Sequence, residues 1–217
     1  MHKIYLEVEN ELFKAERNYP SQQRRIFINR AKQVKTILSR IRSMGATPAQ
    51  LKMQFGSSTV SSLAEMALNC YPSDWVEASI KLGKILTKKA SPNERGFYNG
   101  RLIKIENSYR LDTAFHELGH RMEDVIKDIL NAETEFYNRR TAGEKLEKLS
   151  VLTGDSRYKD DEFARKDKFL SVYIGKDYGG GGYELVSMGF QWAYTEPLFL
   201  LKDEDFAHWI FGLLALI

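Results

Sequence analysis

Apolar residues recur at helical spacing through most of the chain. Between residues 9 and 42, Ile26, Ile28, Ala31, Val34, Ile37, Leu38 and Ile41 return at three- and four-residue steps among charged side chains, which predicts an amphipathic helix. Pro20 separates it from a shorter first helix, because the ring removes a backbone donor and disfavours helix at the residue before it. Gly45 ends the region, and Thr47-Pro48-Ala49-Gln50 supplies a cap with proline at the first helical position. Residues 56–62 are small and hydroxyl-rich, a loop or the start of a helix, and Tyr71-Pro72-Ser73-Asp74-Trp75 forms a turn and cap ahead of a helix over 75–87.

The pattern changes at 91–96. Phe97-Tyr98 and Arg101-Leu102-Ile103-Lys104-Ile105 flank Asn99-Gly100, a dipeptide suited to a two-residue hairpin turn because both positions tolerate positive φ. An edge-like strand over 101–105 then leads into a helix, in which Leu111, Phe115, Leu118, Met122, Val125, Ile126, Ile129 and Leu130 keep helical spacing to about residue 136, with Asp112 or Thr113 as the cap. Thr141-Ala142-Gly143-Glu144 has capping-box spacing and opens a short helix to 149. Residues 159–168 form a charged, exposed segment; glycines fill 179–182; apolar-periodic stretches over 183–194 and from 203 to the end predict two further helices. The fold class is therefore α+β and mostly helical, with a small antiparallel hairpin or sheet packed on the helix that holds Leu118. A helical segment over 1–90 precedes a domain over 91–217, the two forming one compact unit.

Composition alters this picture little. The 217 residues suffice for one well-buried core, and 43% apolar with 28% charged is the balance of a soluble globular chain. The net charge of +3 comes from 32 basic and 29 acidic residues scattered along the sequence, which argues only weakly for a nucleic-acid partner, and none is expected. Cys70, the single cysteine, excludes an internal disulfide and a cysteine-based metal site, and is expected as a small buried residue. The first residues lack an apolar run followed by a small-residue cleavage site, so a cytoplasmic protein is expected. Residues 209–217, the most apolar stretch, fall short of the ~20 needed to cross a bilayer, so no membrane partner is expected.

Chemistry concentrates in His116-Glu117-Leu118-Gly119-His120. Residues four apart on a helix lie on one face, so His116 and His120 can aim both imidazoles at one ion. Glu117 can reach a water on that ion without ligating it; zinc lowers the pKa of such a water to ~7, and the carboxylate takes its proton during attack on a carbonyl. Gly119 leaves room for another element behind the ligands. Two histidines on a charged surface helix are the alternative, and the scarcity of histidine, four in the chain, argues against it. His2 and His208 are expected to be structural.

A catalytic zinc needs a third protein ligand. The metzincin pattern is excluded, because Glu123 and Ile126 stand where it requires glycine and histidine. Glu184 is the chosen ligand: it follows the glycine run and opens a helix rich in small residues, Ser187 and Gly189. Glu123 is a rival placed too far along the axis, and Asp124 is the better candidate to orient an imidazole. A donor for the developing oxyanion could come from Tyr178 or Tyr183, with Arg110 and His208 also in view; Tyr178 is the choice. The glycines suit a mobile flap over a cleft, whereas a phosphate-cradling loop would need a following Lys-Ser/Thr.

Tyr98-Asn99-Gly100, His116 to His120, Arg139-Arg140-Thr141-Ala142-Gly143-Glu144 and the segment from Tyr183 to Gly189 together resemble the zincin-like domain of phage and prophage minor head (head-morphogenesis) proteins. The resemblance spans 96–189 and extends to 203–217. It implies zinc on His116, His120 and Glu184, with Glu117 as base. More distantly the layout resembles the gluzincins, thermolysin-like enzymes and lethal-factor-type toxins among them. Thermolysin-like enzymes carry an aspartate four residues after the ligand glutamate, where this chain has Met188; Ser187 or Asp124 would orient the histidine instead. The expectation is a zinc metallopeptidase acting on peptides or proteins, phage structural proteins among them, in the cytoplasm or on a virion. Two alternatives stand beside it: a phage structural or assembly protein with a structural or vestigial zinc site, and a zinc hydrolase of cell-wall peptide amides.

Overall fold

Residues whose apolar positions recur every three or four places do form helices, and two of those helices meet at the centre of the molecule. The computed structural model describes residues 23–55, 58–91, 94–106, 110–179 and 182–217. The expected first helix and its break at Pro20, His2, part of the loop at 56–62 and the middle of the glycine run lie outside them.

Helix α1 (Gln23–Leu38) buries Phe27, Ala31, Val34 and Leu38, one stripe at four- and three-residue steps, and leaves Ile41 exposed beyond its end. Helix α2 (Pro48–Gln54) is capped as the sequence predicts: the Thr47 hydroxyl accepts from Gln50 N, and the Gln50 side chain accepts from Thr47 N. Helices α3 (Ser61–Leu68) and α4 (Ser73–Leu82) follow. The second ends earlier than expected, at Gly83 with φ +118, a conformation that favours glycine. The released residues form strand β1 (Leu86–Lys89).

Strands β2 (Phe97–Tyr98) and β3 (Leu102–Ile105) make the expected hairpin. Its turn is centred one residue later than predicted, on Gly100-Arg101: Asn99 N donates to Leu102 O, and Gly100 has φ +84. Strand β3 is the central strand, not an edge. It pairs in parallel with β1, Leu86 opposite Leu102, and antiparallel with β2, Tyr98 opposite Ile103. Ile103 and Ile105 are buried, as a middle strand requires, and β1 and β2 form the two edges.

The helix expected over 111–136 is two helices, α5 (Leu111–Val125) and α6 (Lys127–Arg140), broken where Ile126 turns extended. Neither Asp112 nor Thr113 caps α5. Asp112 accepts from the Arg110 guanidinium and Thr113 donates to Glu106, so both side chains are engaged elsewhere. The short helix expected from Thr141 is absent as well. The Thr141 hydroxyl donates back to Tyr137 O, and the Glu144 carboxylate accepts from Asp167 N, so the capping-box residues finish α6 and tie down a loop. There the chain makes β4 (Glu147–Lys148), α7 (Leu149–Thr153), β5 (Phe163–Ala164), a 3₁₀ turn over Val172–Gly175 and β6 (Lys176–Asp177). These strands form a second antiparallel sheet in the order β4-β5-β6, which buries Ala164 inside the stretch expected to be exposed.

Helix α8 (Leu185–Thr195), α9 (Pro197–Leu200) and α10 (Glu204–Leu216) complete the chain, the last capped by the Asp203 side chain on Phe206 N. Helices α5 and α8 lie side by side, with α1, α3 and α10 packed around them. The core between them is aromatic: Phe115 stacks on Tyr194 at 4.5 Å, and Tyr71 meets Phe190 edge-on at 5.5 Å. Each buried phenol finds a carbonyl, Tyr71 on Phe115 O and Tyr194 on Cys70 O. Cys70 is buried and free, and burial pushes its thiol up to about 12. Among the described residues, no helix is long and apolar enough to cross a membrane.

Candidate metal centre

One face of α5 carries His116, Glu117 and His120, while Ala114, Phe115, Leu118 and Met122 are buried in the core. Burying each of the larger apolar side chains contributes roughly 1.5–3 kcal/mol, which fixes the rotation of the helix and therefore the aim of the imidazoles. Arg121, almost fully buried, fixes its position: its guanidinium donates to Ser79 O, Gly83 O and Gly100 O at 2.7–2.8 Å.

Glu184 is delivered by the neighbouring helix. A Cβ on Gly119 would lie 2.7 Å from Ser187 Cα, so only glycine there lets α5 and α8 come this close. The sequence predicts that role for Gly119. Glu184 occupies the N-cap position of α8, and it is 1% exposed. Its Oε2 lies 3.2 Å from His116 Nε2 and 3.4 Å from His120 Nε2. The donor atoms of His116, His120 and Glu184 all fall within 4.8 Å of one another, and the three residues could hold a metal ion.

The surroundings favour a cation. His120 Nδ1 is 3.1 Å from Glu123 Oε2; with its proton on that side, the ring presents a lone pair at Nε2. Among the described residues, the buried Nδ1 of His116 has no hydrogen-bond partner. Ser187 Oγ donates to Glu184 Oε2 at 2.8 Å, Tyr173 Oη donates to Oε1 at 2.7 Å, and Tyr178 Oη donates to that same Oε1. Oε1 is thus taken by two phenols, and Oε2 is the oxygen turned to the imidazoles. Burial alone would raise the Glu184 carboxyl, but His120 and His116 outweigh it and hold it well below the usual carboxylate range. Desolvation opposes a proton on His120, yet Glu123 and Glu184 raise its pKa well above the usual value. Glu117, Glu123, Glu133 and Glu184 bring four carboxyl groups to the neighbourhood of two imidazoles, a costly arrangement without added positive charge.

Glu117 is 4% exposed and does not join the ligand set. Its Oε1 lies where a Cβ on Gly96 would approach to 2.9 Å, and burial pushes the carboxyl up to about 7 against the pull of His116 and His120. All four residues line an open cleft of about 340 Å³, lined also by Tyr98, Tyr173 and Lys176.

The remaining predicted residues separate clearly. Tyr178 lines the cleft and touches Glu184. Tyr183 stacks on Tyr137 at 4.2 Å. Arg110 lines the cleft but is paired with Asp112 and Glu106. His208 is on α10, outside the residues that line the cleft. The orienting partner of His120 is Glu123 and not Asp124, which accepts from Tyr98 Oη at 2.8 Å; Ser187 holds Glu184 and no histidine. Tyr173 and Lys176 had no signal in the sequence, for nothing in the periodicity of 159–178 marks a wall.

Comparison of the chain with family models, with curated proteins and with solved structures finds no match in any of the three. Two imidazole nitrogens and a carboxylate oxygen surround one point, a separate carboxylate stands beside it, and the cleft leaves an approach for a small molecule or chain segment.

Proposed function

We propose that this protein is a zinc-dependent peptidase. The observation that carries the reading is the convergence of His116, His120 and Glu184 beside Glu117 on the wall of an open cleft. Two imidazoles and one carboxylate form a donor set suited to catalytic zinc, with a position left open. Zinc held there would polarise a carbonyl and make water more acidic. Glu117, outside the ligand set, takes the proton from the attacking water and returns it to the leaving amine. Glu123 keeps His120 in the tautomer that offers Nε2. Tyr178 donates its hydroxyl hydrogen to the oxygen on which negative charge develops. The edge strand β2 borders the cleft with Phe97 and Tyr98, where an extended peptide gains backbone hydrogen bonds by adding a strand. On the resemblance to phage head-morphogenesis proteins, we take structural proteins of a phage particle as the substrates.

The test is Glu117→Gln, assayed for zinc by elemental analysis and for cleavage of an unstructured protein. We expect zinc retention and a fall in hydrolysis of about 10³-fold. Undiminished cleavage by the variant contradicts the reading. A wild-type protein that binds zinc and cleaves nothing favours the assembly protein with a structural zinc site.

A further inference from the structure

The second sheet carries a row of polar contacts that ends at the metal centre. Lys176, on β6, is 6% exposed. Its ammonium lies 2.9 Å from Glu162 Oε1 and 3.0 Å from Tyr178 Oη. The same ammonium sits over the Tyr178 ring, 4.3 Å from the centroid. Glu162, itself nearly buried, also meets Arg95 at 3.5 Å.

The direction of these hydrogen bonds is forced. An ammonium has three hydrogens and no lone pair, so at the phenol it can only donate. The Tyr178 oxygen accepts from Lys176, and its own hydrogen must go to another acceptor. In this structure that acceptor is Glu184 Oε1. A charged donor on the phenol oxygen also makes the remaining O–H a stronger donor.

Tyr173 and Tyr178 compete for one oxygen, yet they differ in freedom. Tyr173 also lines the cleft but is less exposed than Tyr178, and the carboxylate keeps Tyr173 and Ser187 as donors if Tyr178 turns away. Tyr178 is 54% exposed and faces the cleft. We propose that Lys176, held by Glu162, is a positioning residue that makes Tyr178 an obligate donor into the cleft, while Tyr173 and Ser187 are enough to hold Glu184. An anionic oxygen of a bound molecule then takes the hydrogen that Tyr178 gives Glu184 in its absence. Only the identity of that oxygen, the developing oxyanion of a peptide carbonyl, rests on the peptidase reading.

The plain alternative is that Lys176 and Glu162 merely fasten β6 to the segment before β5. Two readouts on the zinc-loaded full chain separate the two. The first is the ¹³Cζ tyrosine resonance of Tyr178, assigned by its loss in Tyr178→Phe. It shifts in Lys176→Met and, to a smaller degree, in Glu162→Gln, the variant that keeps shape if Lys176→Met fails to fold. The second is calorimetric affinity for a phosphinic peptide, whose anionic oxygens take the place of the oxyanion. Lys176→Met and Tyr178→Phe each weaken it about tenfold or more, the double variant is no weaker than Tyr178→Phe, and zinc content is unchanged. An unmoved Tyr178 resonance in both variants, or losses that add in the double variant, overturns the proposal. If the wild type takes up zinc but neither cleaves nor binds the phosphinic peptide, the peptidase reading fails, and the Tyr178 resonance still decides the role of Lys176.

Discussion

Two regions that line the cleft are built on different principles. In one, α5 and α8 press backbone to backbone, and His116, His120 and Glu184 stand on closely packed, largely buried helices. In the other, β4, β5 and β6 are strands of two residues each, and they place Tyr173, Lys176 and Tyr178 through turns and ion pairs. Ligands of an ion must meet within tenths of an ångström, so a closely packed helix pair suits them. Tyr173, Lys176 and Tyr178 are held instead by side-chain hydrogen bonds and an ion pair.

The largest disturbance of this contrast should come from the helix contact itself. Gly119→Val places a branched side chain against Ser187 Cα and separates the two helices. We expect a loss of about 3 kcal/mol in urea unfolding, together with weaker zinc uptake, because Glu184 moves with α8.

A smaller and opposite effect is expected behind the site. Glu133, on α6, is 0% exposed, and its Oε1 accepts from Val186 N, near the head of α8, at 3.0 Å. Burial, reinforced by Glu123, raises its pKa well above the usual carboxylate range. A folded pKa above the unfolded one means that ionisation opposes folding: the penalty is absent below the unfolded pKa and grows as pH rises through it. In chelator-treated protein, Glu133→Gln should therefore raise the urea midpoint at pH 8 and leave it unchanged at pH 3. An equal gain at both values would show that charge is not the cause.

The smallest effect belongs to the rim of the second sheet. Lys148 and Asp160 pair at 2.8 Å with Asp160 almost wholly in solvent, where such pairs contribute little. Asp160→Asn should leave both the urea midpoint and zinc uptake unchanged; a clear loss in either would mean that this wall is more rigid than its strands suggest.

The same contrast explains what the sequence revealed. His116 and His120 are visible because helical geometry converts a spacing of four into a shared face, and Glu184 because a helix start after glycines is a recognisable place. The orienting partner of His120 was harder, since residues three and four further along both lie on that face; the longer Glu123 reaches Nδ1, while Asp124 is drawn to Tyr98. Two-residue strands leave no period to detect, so the wall that holds Tyr173 and Lys176 was hidden. The false helix after Thr141 has the same origin: a capping signature is local, and tertiary partners of Thr141 and Glu144 decided how it was used.

The claim on which the rest depends is that His116, His120 and Glu184 converge on one ion. Elemental analysis of zinc after exhaustive dialysis against zinc-containing, then zinc-free buffer tests it directly. We expect about one zinc per chain in the wild type, and almost none in His120→Ala or Glu184→Ala variants that keep wild-type circular dichroism. Full zinc occupancy in folded Glu184→Ala, or no zinc in the wild type, would contradict it.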